Sequence, residues 1–347
     1  MAQAFAELLG KDFLFFVRGN IPDELKDVNA ISVKLPKRFR IALYFIFLPI
    51  FIVLHKWNAK DIVFFSYDPF LLSILIFWRK IFRFQYSICS DWHQLFDDWK
   101  DKYVAKNSDY LISTSKRLKE LLHSVCGIDQ NKILVAYGGV NVNLYIEKSK
   151  IKKEEYRQKL ELPIDSFLVG YVGSFRSVGM EKGLDIMIKS FSYLDEKIMM
   201  VFVGGSKQHI NEYMMLAREK NVLNRCIFVE KQKPFDKVVE YMLAMDILVI
   251  PYPDKRHFRD YGFPMKVWEY MASGRPIVYS NLEIIGEILK GRATAFKPDD
   301  ASSLAEAILS LYQDRESAER LAKQNPEDVL AYTWKARVKN ILDFVNL

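Results

Sequence analysis

The chain has 347 residues, of which half are hydrophobic and 14% are aromatic. This length exceeds one typical domain and predicts two domains of roughly 150–200 residues each. Such a large apolar and aromatic fraction excludes a mainly disordered chain. The net charge of +7 is concentrated in the first half, but no recognisable nucleic-acid module accompanies it. We therefore expect no nucleic-acid partner.

The three cysteines, Cys89, Cys126 and Cys226, lie far apart and fit neither a disulfide framework nor a metal knuckle. The five histidines show no paired ligand spacing, so we expect no metal site and no resident cofactor. Scattered cysteines are typical of a reducing compartment. Residues 1–10 lack the basic start of a signal peptide and have an amphipathic helical pattern. These features predict a cytoplasmic protein.

Short β-branched or aromatic runs alternate with helical patterns, which predicts α/β domains with parallel sheets. The predicted strands of the first half are Phe13–Val17, Ile31–Lys34, Ile62–Phe65, Phe84–Cys89, Tyr110–Ser113 and Ile133–Ala136. Those of the second half are Leu168–Val172, Ile198–Val203, Cys226–Val229, Ile247–Pro251 and Ile277–Tyr279. A charged stretch without a strand, Glu147–Glu161, separates the two sets and predicts domains at 1–150 and 151–326. Because a helix precedes the first strand, we expect the usual opening strand to be absent from this chain.

The window from Lys34 to Arg83 is both basic and apolar. It holds nine basic residues against two acids, together with the apolar runs Ile41–Leu54 and Phe70–Phe77. The first run is too short for a bilayer span, which needs roughly 20 residues. A buried core helix is one interpretation, and peripheral contact with an anionic membrane surface is the other. The basic residues are Lys34, Lys37, Arg38, Arg40, Lys56, Lys60, Arg79, Lys80 and Arg83.

Polar residues follow the predicted strand Phe84–Cys89, at the edge where doubly wound sheets bind ligands. Asp91 and His93, with an aromatic between them, can contact a sugar by hydrogen bonding and stacking. A structural histidine is the alternative. Further along, Ser115 is predicted to cap a helix at Lys116–His123.

A glycine-containing loop, residues 173–183, runs from the strand Leu168–Val172 into a predicted helix. Backbone N–H groups at Gly173, Ser174 and Gly183 and the cations Arg176 and Lys182 suit a diphosphate. Solvated loop cations are the alternative. Gly204, at the end of the next strand, allows a close backbone approach to the same ligand. The stretch Glu230–Pro234 follows another strand, and its sequence is not specific.

Residues 261–278 predict a turn, a short helix and a strand. The Gly-Phe-Pro turn, Gly262–Pro264, leads into a helix at Met265–Ala272 that Gly274 ends. Lys266 and Glu269 are three residues apart, so they share one helical face. A loop, a helix carrying Lys and Glu, and a strand recur at ligand-binding edges of parallel sheets. The last segment, residues 327–347, has apolar residues at helical spacing.

Together these motifs resemble the retaining nucleotide-sugar glycosyltransferases of family four. The resemblance runs from about Phe84 to Phe344 and implies the GT-B fold, in which two Rossmann-like domains with parallel sheets face a cleft. It implies that the C-terminal helix crosses back to the first domain. It also implies transfer of a hexosyl-type sugar, metal-independent, from a nucleotide diphosphate sugar such as a UDP-sugar. The acceptor is expected to be a glycan or lipid-linked precursor, as in polysaccharide biosynthesis.

Several residues take family roles by their match to the motifs. The resemblance assigns the donor diphosphate to Arg176 and Lys182, the donor ribose to Glu269, and the transferred sugar to His93. The Gly138–Asn141 turn is similar to the family's Asn-Gly-Val-Asp element. In the family's Glu-x7-Glu pattern Glu269 is the terminal Glu, whereas Tyr261 replaces the first. The donor sugar and phosphate would then be bound in one of two ways. One uses Asp260, and the other uses Gly262, Phe263 and Lys266.

The chain is thus interpreted as a glycosyltransferase. Two alternatives stay open at this point. One is a nucleotide-sugar-binding subunit without turnover, which Tyr261 favours. The other is a GT-B relative with different chemistry, such as an epimerase, which would need an acid/base pair facing the donor sugar.

Overall fold

The computed structural model describes residues 1–18, 20–33, 40–55 and 59–347. These residues form two compact units. The first comprises Met1–Gly139, Asp260–Phe263 and Trp334–Leu347, and the second comprises Val140–Arg259 and Pro264–Thr333. Lys34, Lys37, Arg38 and Lys56, which belong to the predicted basic window, lie outside the described residues, as does the side chain of Arg40.

The chain passes from the first unit to the second at Gly139, earlier than the predicted boundary near residue 150. The reason is the packing of the helix Val142–Lys148. Lys148 Nζ lies 2.8 Å from Glu240 Oε1, and Tyr145 donates to Met242 Sδ at 3.7 Å. Both contacts hold this helix on the second unit.

The first unit contains two parallel sheets. A two-stranded sheet pairs β1 with β2, and a four-stranded sheet has the order β3-β4-β5-β6. The strands are β1 (Phe15–Arg18), β2 (Ala30–Val33), β3 (Val63–Ser66), β4 (Ser87–Trp92), β5 (Tyr110–Ser113) and β6 (Ile133–Val135). The helices are α1 (Ala2–Leu9), α2 (Arg40–Leu54), α3 (Pro69–Phe82), α4 (Trp99–Asn107), α5 (Lys116–Cys126) and, from the end of the chain, α16 (Trp334–Val345).

Local sequence signals account for the helix ends of the first unit. The carboxylate of Asp68 accepts hydrogen bonds from the first N–H groups of α3, and Ser115 caps α5 by accepting from Leu118 N, as predicted. Gly127 ends α5 in the left-handed conformation. Helix α16 packs with α1 against the sheet, where Phe5, Val338 and Ile341 are buried in one cluster.

Strand β4 differs from its prediction in a way that matters for function. Pairing with β3 runs from Ser87 to Ser90 and pairing with β5 continues to Trp92, so the strand lies three residues further along than the aromatic run Phe84–Cys89 suggests. Phe84 and Tyr86 instead contact each other through tilted rings, with centroids 5.7 Å apart. Asp91 is therefore part of a buried strand and not of the loop that follows it.

The second unit has one six-stranded parallel sheet in the order β11-β10-β7-β12-β13-β14. Its strands are β7 (Phe167–Val172), β10 (Ile198–Gly205), β11 (Cys226–Glu230), β12 (Ile247–Ile250), β13 (Ile277–Ser280) and β14 (Thr294–Phe296). A small antiparallel hairpin, β8 (Arg176–Ser177) and β9 (Met180–Glu181), interrupts the loop after β7. Neither this hairpin nor β14 is predicted from the sequence, because both are too short to show a pattern.

The helices of the second unit cover its sheet. They are α6 (Val142–Lys148), α7 (Lys153–Lys159), α8 (Leu184–Ser190), α9 (Lys207–Glu219), α10 (Phe235–Ala244), α11 (Lys266–Ser273), α12 (Glu283–Leu289), α13 (Ala301–Gln313), α14 (Arg315–Lys323) and α15 (Asn325–Asp328). Counted within this unit, the strand order is 3-2-1-4-5-6, that of dinucleotide-binding sheets. In such sheets the order in which strands are added reverses between the first and fourth strands, here β7 and β12. Ligands bind beyond the carboxyl ends of these two strands.

Candidate active site

The segments that follow β7 and β12 form the ligand edge of the second sheet. Gly173 and Ser174 follow β7, and Pro251 and Tyr252 follow β12. Gly183, which precedes α8, has a φ of 82°, and a Cβ there would overlap the carbonyl oxygen of Pro251. The glycine therefore lets the loop after β7 pack directly on the end of β12.

Lys266 reaches this edge from α11. Its buried ammonium group donates a hydrogen bond to the carbonyl oxygen of Val172, the last residue of β7. Gly173 has a φ of 147°, and a Cβ there would overlap Lys266 Nζ. The ring of Tyr171 lies 5.0 Å from the same nitrogen, and that of Tyr270 lies 5.8 Å from it. Burial lowers the pKa of Lys266, and Glu269 opposes this shift.

Lys182 is a second buried cation at the same edge. Its Nζ donates to Ser174 Oγ at 3.2 Å and lies 5.7 Å from the centre of the Tyr252 ring. Burial, together with the charge of Lys266, lowers the pKa of Lys182 to about 8, against a smaller opposite effect of Glu269. Among the residues described by the structure, no carboxylate forms an ion pair with either lysine. Two cations are therefore held together without a paired acid.

Glu269 lies on α11, one turn after Lys266, and is half-buried. Within the described part of the chain its carboxylate has no hydrogen-bond donor. It therefore retains the capacity to accept hydrogen bonds from ligand hydroxyls. We call Gly173, Ser174, Lys182, Lys266 and Glu269 the two-lysine site. Gly204, at the end of β10, adjoins it, because a Cβ at Gly204 would overlap the Gly173 carbonyl.

Arg176 has other partners than the diphosphate-binding role predicted from the loop sequence would suggest, and it is not part of the two-lysine site. Its Nη2 lies 3.0 Å from Glu181 and 2.7 Å from Glu212, so two carboxylates already compensate its charge. The hairpin of β8 and β9 places Arg176 directly opposite Glu181. A diphosphate role for Arg176 stays a prediction, and a phosphate there would compete with these two carboxylates for the guanidinium.

In the first unit, Asp91 and His93 are adjacent, as expected. His93 Nε2 lies 3.2 Å from Asp91 Oδ2, and the His93 ring lies 5.8 Å from that of Tyr67. The His93 side chain is 54% exposed and that of Asp91 is 0% exposed. Sequence reasoning missed Arg337, which contacts both Asp91 oxygens from α16 at 2.8 and 2.7 Å. It also missed Tyr67, since a lone tyrosine after a strand gives no signal.

The segment that replaces the first motif Glu lies in the first unit. Asp260 Oδ1 accepts from Arg117 Nε at 3.1 Å, and Tyr261 is buried in the apolar core of that unit. The ring of Phe263 lies 5.3 Å from that of Tyr137. Asp260, Gly262 and Phe263 thus belong to a different unit from Lys266 and Glu269, and Asp260 has a cationic partner there. Their predicted contact with the donor stays untested.

Two broader features concern metals and membranes. Among the described residues, no three His, Cys, Asp or Glu side chains converge as metal ligands. None of the helices formed by the described residues is long and apolar enough to cross a membrane.

Comparison with known proteins identifies the class. Residues 152–328 match the family described as "Glycosyl transferases group 1". The chain belongs to this glycosyltransferase family, and its fold is GT-B.

Individual relatives are distant. The D-inositol 3-phosphate glycosyltransferase of Corynebacterium glutamicum (strain R) is 24% identical over 257 residues, which are 71% of this chain and 59% of that protein. This chain therefore spans less than two thirds of that relative. A glycosyltransferase from Rickettsia africae ESF-5 superimposes with a TM-score of 0.81 at 16% identity, covering 99% of this chain and 92% of that one. Anabaena Alr3699/HepE in complex with UDP gives 0.79 at 14% identity, covering 99% and 94%.

The Gly173→Ala variant tests how the two-lysine site is built. A methyl group at this position would displace the Lys266 ammonium from the Val172 carbonyl, and an alanine is also strained at this φ. We expect the melting temperature to fall by several degrees. Gly179→Ala is the matched control, since it also has a positive φ but has open space around the added methyl group. Equal melting temperatures in the two variants would contradict the contact between Lys266 and the Val172 carbonyl.

Proposed function

We propose that the protein transfers a sugar from a nucleotide diphosphate sugar to a glycan or lipid-linked acceptor, with retention of the anomeric configuration. One observation carries the proposal: two buried lysines converge, without a paired acid, at the β7–β12 ligand edge. A diphosphate supplies the negative charge that this arrangement lacks. UDP bound to HepE, a protein of the same fold, supports the choice of nucleotide.

In the proposed reaction the bond between the anomeric carbon and the diphosphate oxygen breaks. An acceptor hydroxyl attacks from the same face, and its proton passes to the departing diphosphate. Negative charge grows on the diphosphate as the bond breaks, and Lys182 and Lys266 stabilise it from fixed positions. Glu269 holds the ribose hydroxyls, and His93 contacts the transferred sugar. The two lysines supply the positive charge, so the proposal is of a metal-independent enzyme.

The alternative is a binding subunit without turnover, and one observation supports it. Tyr261 packs in the core of the first unit and has no acidic function to offer a donor sugar. Incubation with UDP-sugars and candidate acceptors separates the two proposals. Donor-dependent product formation establishes an enzyme. UDP binding with neither transfer nor donor hydrolysis would favour the binding subunit.

Lys182 gives the donor site a pH dependence. Its pKa of about 8 means that the side chain is a cation below that pH and becomes neutral above it. Anion binding favours the protonated form, so UDP affinity should fall by up to about tenfold per pH unit above pH 8. Lys182→Ala should weaken UDP binding about 10- to 100-fold at neutral pH, because charge-assisted hydrogen bonds are lost. Calorimetric titration with UDP measures both effects.

Two further variants complete this test. Lys182→Arg keeps its charge at high pH and should lose most of the pH dependence. Lys189→Ala removes an exposed lysine of α8 that pairs with Asp185 at 2.8 Å, and it should leave UDP affinity unchanged. A wild-type affinity that stays constant from pH 7 to pH 9.5 would remove Lys182 from the donor site.

Glu269 is predicted to recognise the donor ribose. Glu269→Gln keeps the size of the side chain but loses its charge and one acceptor, so UDP should bind roughly 10-fold more weakly. Inorganic diphosphate should bind the variant and the wild type equally, because it lacks ribose. The melting temperature should change little, since no described donor contacts this carboxylate. Unfolding of the variant would instead identify Glu269 as a structural carboxylate.

The first unit supports contact of the enzyme with a membrane surface. On α2 and α3, Phe45, Phe77, Trp78 and Phe82 form a connected row of rings with centroids 4.9–5.2 Å apart. Trp78 Nε1 donates to the Phe45 carbonyl at 2.7 Å, which joins the two helices. Apolar side chains on this face are strongly exposed: Ile46, Ile50, Val53, Leu54, Ile81 and Phe82 are each more than half exposed. We call this surface the α2–α3 face.

The charge around the α2–α3 face supports an anionic membrane as its proposed partner. Lys80 and Arg83 are exposed at the end of α3, and the surrounding sequence is strongly basic. Apolar and aromatic residues with a basic border suit the interface of an anionic bilayer. Arg79 has a different role, since its guanidinium binds Asp109 and the carbonyls of Tyr86 and Asn107. It ties α3 to the sheet and should not be changed in a test of lipid binding.

Vesicle co-sedimentation tests this surface. Each basic residue near an anionic membrane contributes about 1 kcal/mol, so Lys80→Gln with Arg83→Gln should weaken binding roughly 30-fold at low salt. Added salt should reduce wild-type binding more than variant binding. Ile81→Ser with Phe82→Ser should weaken binding at every salt concentration, because apolar insertion is lost.

The control for vesicle binding is Lys132→Gln with Lys339→Gln, two exposed lysines of the first unit elsewhere in the sequence. It removes the same charge and should leave binding almost unchanged. Equal losses in the two charge variants would show non-specific attraction. Concentration-dependent dimers without vesicle binding would assign the α2–α3 face to a second copy of the chain.

A further inference from the structure

A buried ion pair lies behind the His93 imidazole. Arg337, on α16, is 3% exposed and Asp91 is 0% exposed. Arg337 Nη2 contacts both oxygens of Asp91, while Nη1 donates to the carbonyl oxygens of Ala136 and Tyr137. One guanidinium group therefore joins the end of β4 to the segment that follows β6.

The same Asp91 also binds His93. Asp91 Oδ2 accepts from Arg337 Nη2 at 2.7 Å and lies 3.2 Å from His93 Nε2. Burial alone would raise the pKa of this carboxyl, but Arg337 and His93 hold it below its usual range. An ionised carboxylate accepts hydrogen bonds and cannot donate them, so His93 Nε2 must carry a proton. In the neutral ring Nδ1 is then an acceptor.

The exposure of the His93 side chain leaves it accessible to a ligand. The His93 side chain is 54% exposed, whereas both charged groups behind it are buried. Within the described residues, Asp91 is the one hydrogen-bond partner of the ring. Tyr67, which is 68% exposed, lies beside it. A sugar hydroxyl can therefore donate to Nδ1 while the sugar packs against the tyrosine ring.

We propose that Arg337 is a positioning residue: through Asp91 it fixes the His93 ring with Nε2 protonated and Nδ1 free to accept from a sugar hydroxyl. The C-terminal helix α16 thereby sets the orientation and tautomer of a sugar-contacting group that is 244 residues away in sequence. Orientation of an imidazole by a buried carboxylate is a general way to select one ring nitrogen for function. The consequence for turnover rests on the proposed glycosyl transfer, whereas the consequence for the tautomer does not.

The tautomer can be measured directly. Long-range 1H–15N spectra of histidine-labelled protein distinguish the two ring nitrogens of the five histidines, and His93→Ala assigns the signal of His93. His123 is an internal reference with the opposite tautomer, because its Nδ1 must donate to the Ile128 carbonyl at 2.8 Å. We expect wild-type His93 to show a single tautomer with Nε2 protonated.

The informative variant removes both buried charges together. Asp91→Leu with Arg337→Met leaves no unpaired charge, so the unit should fold, whereas either single change leaves one charge buried alone. In the double variant His93 should become a mixture of tautomers while His123 stays unchanged. Lys339→Met, an exposed change on the same helix, should leave both signals as in the wild type. A His93 signal that keeps the wild-type tautomer in the double variant would overturn the proposal.

Kinetics separate positioning from stability. The double variant should lower kcat about 10-fold, to the level of His93→Ala, with UDP affinity within twofold of wild type. Adding His93→Ala to the double variant should then cause little further loss, since the three residues act together. A double variant with wild-type kcat would overturn the positioning role. If the wild type transfers no sugar from any donor, the proposed function fails, and the tautomer measurement still decides whether the Asp91–Arg337 pair positions His93.

Discussion

A buried ammonium group at the end of β7 determines how the ligand edge of the second unit is built. Lys266 binds the last carbonyl of this central strand, and the absence of a side chain at Gly173 makes room for it. This contact joins α11 to β7, so it also fixes where Glu269 lies on the same helix. Lys182 completes the arrangement from the loop before α8. The two-lysine site is therefore a property of the sheet topology, since three segments meet where the strand order reverses.

The first unit also contains a buried charge, but the surroundings of that charge are different. A buried charge there, Asp91, is fully compensated by Arg337, and the side chain that reaches solvent is the neighbouring His93. In the second unit the buried charges are cations and lack a paired acid. Compensated charge orients a group, whereas uncompensated charge attracts a ligand. The two units thus hold buried charge in different ways, which is the basis of the positioning proposed for one and the anion binding proposed for the other.

Features that depend on a local pattern can be predicted from the sequence, whereas contacts between residues that lie far apart in the sequence cannot. The strand Tyr110–Ser113 has its predicted bounds, and Ser115 caps its helix, because a polar residue between a strand and a helix is a local signal. The GT-B assignment follows from several such motifs in order. Glu181 and Glu212 bind Arg176, however, and the second lies 36 residues away. Arg337 is further still from Asp91, so no spacing rule could associate them.

The two-lysine site has a further energetic consequence. Lys182 and Lys266 together with Glu269 carry a formal charge of +1 when all three are ionised, in surroundings that lower the pKa of both lysines. Removal of a cation from water is unfavourable unless a partner replaces the lost solvation. Within the described residues that partner is a carbonyl for Lys266 and a hydroxyl for Lys182, both neutral. A diphosphate would bring two negative charges to the same nitrogens. Its binding would therefore relieve an electrostatic cost that the free protein carries, and its departure after sugar transfer would restore that cost. Under the proposed function such a site would hold the product diphosphate tightly, so release of the nucleotide, and not bond cleavage, would limit turnover at neutral pH.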